Sequence, residues 1–158
     1  MAQREAGELK TIPDYYRPLR RLVTGVDSQG RSSVTSDALT NDTAVADQYV
    51  VDDLWSTQLP AATAGAIDLP GAADDDVMVG TVIFRRCTVA PRTNIAFHTT
   101  DTVDCLVVVS GSVTLVLETG EVLLCAGDCL VQRNTVHGWR NDREEPCELI
   151  GVLASSDG

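Results

Sequence analysis

Residues 97–141 read FHTTDTVDCLVVVSGSVTLVLETGEVLLCAGDCLVQRNTVHGWRN. Runs of Val, Leu and Cys alternate there with Ser110-Gly111, Thr119-Gly120, Ala126-Gly127-Asp128 and Arg133-Asn134-Thr135. Short apolar runs closed by turn residues at this spacing mark antiparallel strands of a sandwich or barrel. The strands are expected at Asp104–Ser110, Ser112–Leu117, Glu121–Cys125, Cys129–Gln132 and His137–Asn141. Both histidines of the chain, His98 and His137, fall inside the stretch, one near each end. A chemical centre is expected where they meet.

Outward from this stretch the pattern continues. Val79–Val89 precedes it and Glu148–Ala154 follows it as strands, set off by Ala90-Pro91 and by Asp142–Pro146. Further upstream, Arg20–Asp27 and Arg31–Ser36 form a hairpin about Ser28-Gln29-Gly30, with Leu22, Thr24 and Val26 on one side. Residues 37–47 read as loop and Gln48–Trp55 as a strand with Val50 and Leu54 on its apolar side. Residues 57–77 carry two prolines after Leu59, several glycines and Asp74-Asp75-Asp76. A loop of that length is a mobile surface segment or a cover for the site, with Trp55 or Leu59 as its apolar contact. No stretch holds a helical period, so helix content is expected to be low. The chain divides into a flexible arm (residues 1–18), flanking strands and loop (19–77) and a barrel (78–158).

The 158 residues suit one compact domain, and with aromatics at 4 % its core must come from Val, Leu, Ile and Ala. Twelve basic residues stand against 23 acidic ones, a net charge of −11. Such a surface repels nucleic acid and anionic membranes, whose binding relies on clustered Lys and Arg. The local groups Arg17, Arg20, Arg21 and Arg85, Arg86 read as solvated edges. There is no apolar run of membrane-spanning length and no signal-peptide pattern at the N-terminus. The five cysteines are odd in number and lack CxxC spacing. Most lie in strand-like runs, where a free thiol acts as a small hydrophobe. A reduced, cytoplasmic protein is the expectation.

The chemistry centres on three residues. His98 and Asp104 are six apart, with Thr100 and Thr102 between them on the same parity, so an unbroken extended stretch would point all four one way. Asp104 runs into CLVVVSG, an apolar strand, and a carboxylate there needs a partner. His137 arrives from a separate strand. Two imidazoles and a carboxylate can ligate iron, manganese, zinc or nickel; the same three can instead be hydrogen-bonded core residues. Gln132 is a substrate hydrogen-bonding group or an edge residue, and Trp139 is core packing or a stacking platform. Arg133 and Arg140 beside His137 read as edge charges.

The segment resembles the cupin superfamily. In its first motif His98 takes the first histidine position, Asp104 the acidic position and Gly111 the glycine seven residues later. In its second, Gly127-Asp128 opens the motif, and His137 is followed four residues on by Asn141. The resemblance covers residues 78–154 and implies an all-β fold, a cupin-type double-stranded β-helix (jelly-roll) barrel with an N-terminal hairpin extension. Three departures stand out. Thr100 replaces the second histidine, Asp104 replaces glutamate, and Arg133-Asn134-Thr135 replaces the usual Pro-x-Gly. The family's metal shell is thereby reduced to His98, Asp104 and His137, and the shorter aspartate is also suited to hydrogen-bond a histidine. The resemblance further implies a homodimer exchanging the hairpin.

Three functions are expected in order. The first is an enzyme of small-molecule metabolism, of oxygenase or lyase type, with a divalent metal (Fe, Mn, Zn or Ni) on His98, Asp104 and His137. Its substrate would be small and largely apolar, contacted by Thr100, Gln132 and Trp139. The second uses the same three residues without metal for acid–base dehydration, cyclisation or decarboxylation. The third is a non-catalytic ligand-binding barrel.

Overall fold

The computed structural model describes residues 11–40, 43–59 and 80–155. Strand runs through most of them and no helix occurs among them. β1 (Arg20–Val26) and β2 (Ser32–Leu39) form a two-stranded sheet of their own. β3 (Thr43–Val45), β4 (Tyr49–Gln58), β5 (Thr81–Val89), β7 (Thr102–Ser110), β10 (Cys129–Arg133) and β12 (Cys147–Ser155) make a six-stranded sheet in the order β10-β7-β12-β5-β4-β3. β6 (Thr93–His98), β8 (Ser112–Leu117), β9 (Gly120–Cys125) and β11 (His137–Asn141) make a four-stranded sheet ordered β6-β11-β8-β9. Every pairing is antiparallel. This is the all-β double-stranded β-helix barrel with a hairpin extension.

Period-2 alternation sends one set of side chains from each large sheet inward. Val89, Val108 and Leu149 from the larger sheet meet Val113, Leu115, Leu124 and Trp139 from the smaller one in a single buried cluster. Burial of such side chains stabilises by about 1.5–3 kcal/mol each, so a slip of any strand by one residue is strongly disfavoured.

The motif residues hold turns. Gly111 links β7 to β8 at φ +73°, and a Cβ there would stand 2.4 Å from the Pro146 carbonyl oxygen. The Asp128 carboxylate accepts from Cys125 N at 2.7 Å. Asn141 donates to Glu145 O at 2.9 Å and accepts from Arg143 N at 2.9 Å. Asn134 takes φ +44° in the loop that replaces the family's Pro-x-Gly, a conformation asparagine tolerates better than most residues.

Several expectations change. Thr93–His98 is a strand that the sequence reading left unassigned, β2 runs on to Leu39, and β3 lies inside the expected 37–47 loop. Leu22 and Val26 are exposed, because the hairpin stands in its own sheet and, among the described residues, its apolar side has no second layer to meet. The described part of the arm is anchored: Tyr16 is 5 % exposed and its hydroxyl donates to Asp52 at 2.7 Å. All five cysteines are free, but Cys105, Cys125 and Cys129 are exposed and only Cys147 is fully buried, since alternation turns half of each strand outward. The expected 57–77 loop lies outside the described residues from position 60 onward.

Candidate functional site

The two histidines come together by strand pairing. His137 opens β11 and lies directly opposite His98, the last residue of β6, with ring centroids 4.3 Å apart. Gly138 makes this approach possible, because a Cβ there would lie 2.8 Å from Ile95 O. The β6–β11 register shifts between His137 and Trp139, and such a bulge re-aims the side chain beside it. Trp139 meets the His137 ring edge-on at 5.7 Å.

Asp104 reaches the same cavity from the opposite sheet. β6 ends at His98 and β7 begins at Thr102, so the chain crosses between sheets and the shared-parity argument does not apply. The two side chains face each other across the barrel instead. They line a cavity of about 120 Å³ together with Thr100, His137, Trp139, Arg85, Cys87 and four aliphatic residues.

Backbone carbonyls fix both imidazoles. His98 Nδ1 lies 2.9 Å from Ala96 O, and His137 Nδ1 lies 2.9 Å from Thr135 O. A carbonyl only accepts, so each Nδ1 carries the hydrogen and each Nε2 keeps its lone pair. Burial pushes the His137 imidazole below its ordinary value and His98 adds to this, against opposing effects of the Thr135 bond and Asp104. His137 is therefore neutral near pH 7. Burial raises the Asp104 carboxyl, against the Thr102 hydrogen bond and the charges of His137 and Arg85. Asp104 Oδ1 accepts from Thr102 Oγ1. Thr100 Oγ1 is buried without a hydrogen bond of normal geometry, yet lies near enough to favour the Asp104 charge slightly.

Of the other expected contact residues, Trp139 and Thr100 face the cavity. Gln132 is buried and spends its amide on the Thr135 oxygens, so it braces the loop that presents His137. Arg140 reaches outward to Glu121 and Asp142.

Arg85, Asp53 and Cys87 were missed. Arg85 is no solvated edge: it lines the cavity and forks Asp53, with Nε at 2.6 Å and Nη2 at 3.0 Å from its two oxygens. Arg86, next in the chain, faces the other way and is 1 % exposed. The available signal was the pair of dipeptides, Asp52-Asp53 and Arg85-Arg86, on two apolar strands. Burial pushes the Cys87 thiol up to about 11, so it stays protonated and serves as a small wall residue.

A divalent metal is the cofactor that the resemblance implies. Two Nε2 lone pairs suit such an ion, but among the described residues no three His, Cys, Asp or Glu side chains are arranged to hold one. Asp104 is bonded to Thr102 and makes no hydrogen bond to either imidazole. The donor set is incomplete as it stands.

An all-β barrel of two facing sheets, with its site between them and motif residues at the turns, is the architecture of the cupins. Residues 85–153 match the family model described as the cupin domain, and that segment is a cupin domain. The phomopsin biosynthesis cluster proteins C' and D of Diaporthe leptostromiformis are each 37 % identical over 81 residues. That segment is 51 % of this chain, which spans only 38 % of the length of those relatives. The crystal structure of AerE from Microcystis aeruginosa superposes with a TM-score of 0.50 at 15 % identity, covering 89 % of this chain and 47 % of that one. This last is a likeness of fold alone. Among the described residues no helix is long and apolar enough to cross a membrane.

Proposed function

We propose that the protein is an enzyme of small-molecule metabolism that moves protons on a small, largely apolar substrate. Dehydration, cyclisation and decarboxylation are the reactions in its range. The observation that carries this reading is the pair of imidazoles, each with its tautomer fixed by a backbone carbonyl, in a cavity walled mainly by apolar side chains. His137 is neutral near pH 7 and takes a proton at Nε2. His98, partly open to solvent, passes it onward. Asp104 stabilises the imidazolium formed when His137 is protonated. The relatives named for a biosynthesis cluster support a role in making small molecules.

The test is solvent deuterium exchange. Tag-free protein is incubated in heavy water with a panel of small carbonyl acids and ketones, and C–H loss is followed by NMR. Exchange should survive a chelator and fall by about 10²–10⁴ in His137→Ala. Exchange that His137→Ala leaves intact rejects the reading.

One observation favours a second reading, a divalent ion on His98 and His137 completed by Asp104: fixing both Nδ1 atoms is how metal-binding histidines are oriented. Such an ion would polarise a substrate oxygen when bound. About one equivalent of metal in purified protein, lost in His98→Ala, together with chelator-sensitive exchange, would replace the first reading by this one.

A further inference from the structure

We infer that Arg85 is the anchor for a carboxylate, so that the cavity selects a small apolar acid bearing one anionic head group. The observation is an imbalance between two adjacent arginines. Arg86 uses all three of its nitrogens: Nε and Nη2 go to Asp52, and Nη1 donates to Arg17 O at 2.8 Å. Arg85 uses only Nε and Nη2, both on Asp53. Its Nη1 makes no hydrogen bond among the described residues, and the residue lines the cavity beside Asp104, Cys87 and the aliphatic wall.

An ion pair set in such a wall carries a desolvation cost that an apolar pair would not. That cost gains a use if the second edge of the guanidinium meets substrate. Asp53 holds the side chain by the Nε/Nη2 edge, leaving the Nη1/Nη2 edge, whose parallel donors match the two oxygens of a carboxylate. Asp53 is itself 4 % exposed on its side chain, so the fork is rigid before any ligand arrives. Among the described residues Arg85 is the one arginine lining this cavity, and the Asp104 carboxyl shares its wall. A dianion such as phosphate would meet too little positive charge there. The volume, about 120 Å³, sets the rest of the ligand at on the order of one ring or a short branched chain, since a ~150 Å³ apolar cavity takes benzene.

This deepens the proposed function by naming the substrate's head group, and it rests on that reading only for the claim that the ligand is a substrate. Its test needs no turnover. Benzoate and benzamide have nearly the same shape and differ in charge, and both are titrated calorimetrically into the full chain at pH 7, with inorganic phosphate as a third probe. Benzoate is expected to bind at least tenfold more tightly than benzamide, with phosphate weakest. The preference should collapse to about unity in Arg85→Gln. The double variant Asp53→Asn/Arg85→Gln removes both charges without stranding a carboxylate, and should lose the preference while keeping its circular dichroism. His137→Ala should retain it, which separates the anchor from the proton-transfer chemistry. Benzoate binding no tighter than benzamide, or not at all, overturns the inference, as does a preference that survives the double variant. Either outcome leaves the deuterium-exchange result standing on its own.

Discussion

Two ion pairs one residue apart on the same two strands serve opposite faces of one sheet. Asp52 lies opposite Arg86 and Asp53 opposite Arg85 in the β4–β5 ladder. The outward pair is sealed. Tyr16 and Thr43 donate to Asp52 Oδ1, the Tyr16 ring covers the Arg86 guanidinium at 4.7 Å, and both charged side chains are 1 % exposed. The inward pair faces the cavity with donors to spare, and Arg85 is 17 % exposed on its side chain. The same chemistry fastens the N-terminal arm on one side and furnishes a binding wall on the other. The difference lies in what covers each pair, not in the residues themselves.

Breaking the sealed pair should have the largest effect. Arg86→Met leaves the Asp52 charge stranded and should cost about 3–5 kcal/mol in urea unfolding. Asp52→Asn/Arg86→Gln removes both charges and should cost clearly less. A single variant with near-native stability would show that the two pairs do not differ as described. Arg85→Gln comes next, at about 1–3 kcal/mol, because cavity water can reach the stranded Asp53; a cost equal to that of Arg86→Met would erase the contrast. Gly138→Ala tests the cavity from the opposite sheet. It should cost about 1–2 kcal/mol by overpacking against Ile95 O and shift the His98 and His137 ring resonances in NMR, while leaving the sealed side unchanged.

The smallest effect is that of pH. The folded His137 value lies below its ordinary 6.5, so the unfolded chain binds that proton more readily. Stability should fall as pH drops through and below about 6.5, and it is regained on the alkaline side. Asp104 has the opposite sign in a lower window: its folded value is raised from 3.8, so its contribution is present at low pH and is lost as pH rises through that raised value. Urea midpoints at pH 7 and pH 5 should differ less in His137→Asn than in the parent chain. An unchanged difference would mean that His137 is not the buried neutral base described.

The barrel was legible because glycine turns between β-branched runs leave few other options. The strand bounds near His137, from Ser112–Leu117 to His137–Asn141, follow from those turns directly. The meeting of His98 with His137 was expected from their places at the two ends of the stretch, and the structure pairs them. The argument that joined Asp104 to His98 does not hold. Even spacing to Asp104 suggested a common face on one strand, whereas the chain changes sheets at residues 99–101 and brings the groups together across the barrel. Arg85 was misread because adjacent arginines look solvated unless the strand opposite carries adjacent acids in matching register. That pairing depends on a long-range contact which no local pattern reveals. β6 was missed for a similar reason: TNIAFH has weak alternation and owes its extended form to pairing with β11.

The doubled charges also bear on how the chain finds its alignment. Hydrophobic side chains tolerate a shifted neighbour, but a one-residue slip of β4 against β5 would leave one Asp and one Arg of the quartet without an opposite charge. It would also pair the remaining two across what had been different faces. Two adjacent ion pairs in register thus act as a lock on strand alignment, a role for which buried charges are best attested. On this view the cavity's chemistry is installed by the same event that aligns the sheet, and a misaligned barrel would lack both its arm and its arginine.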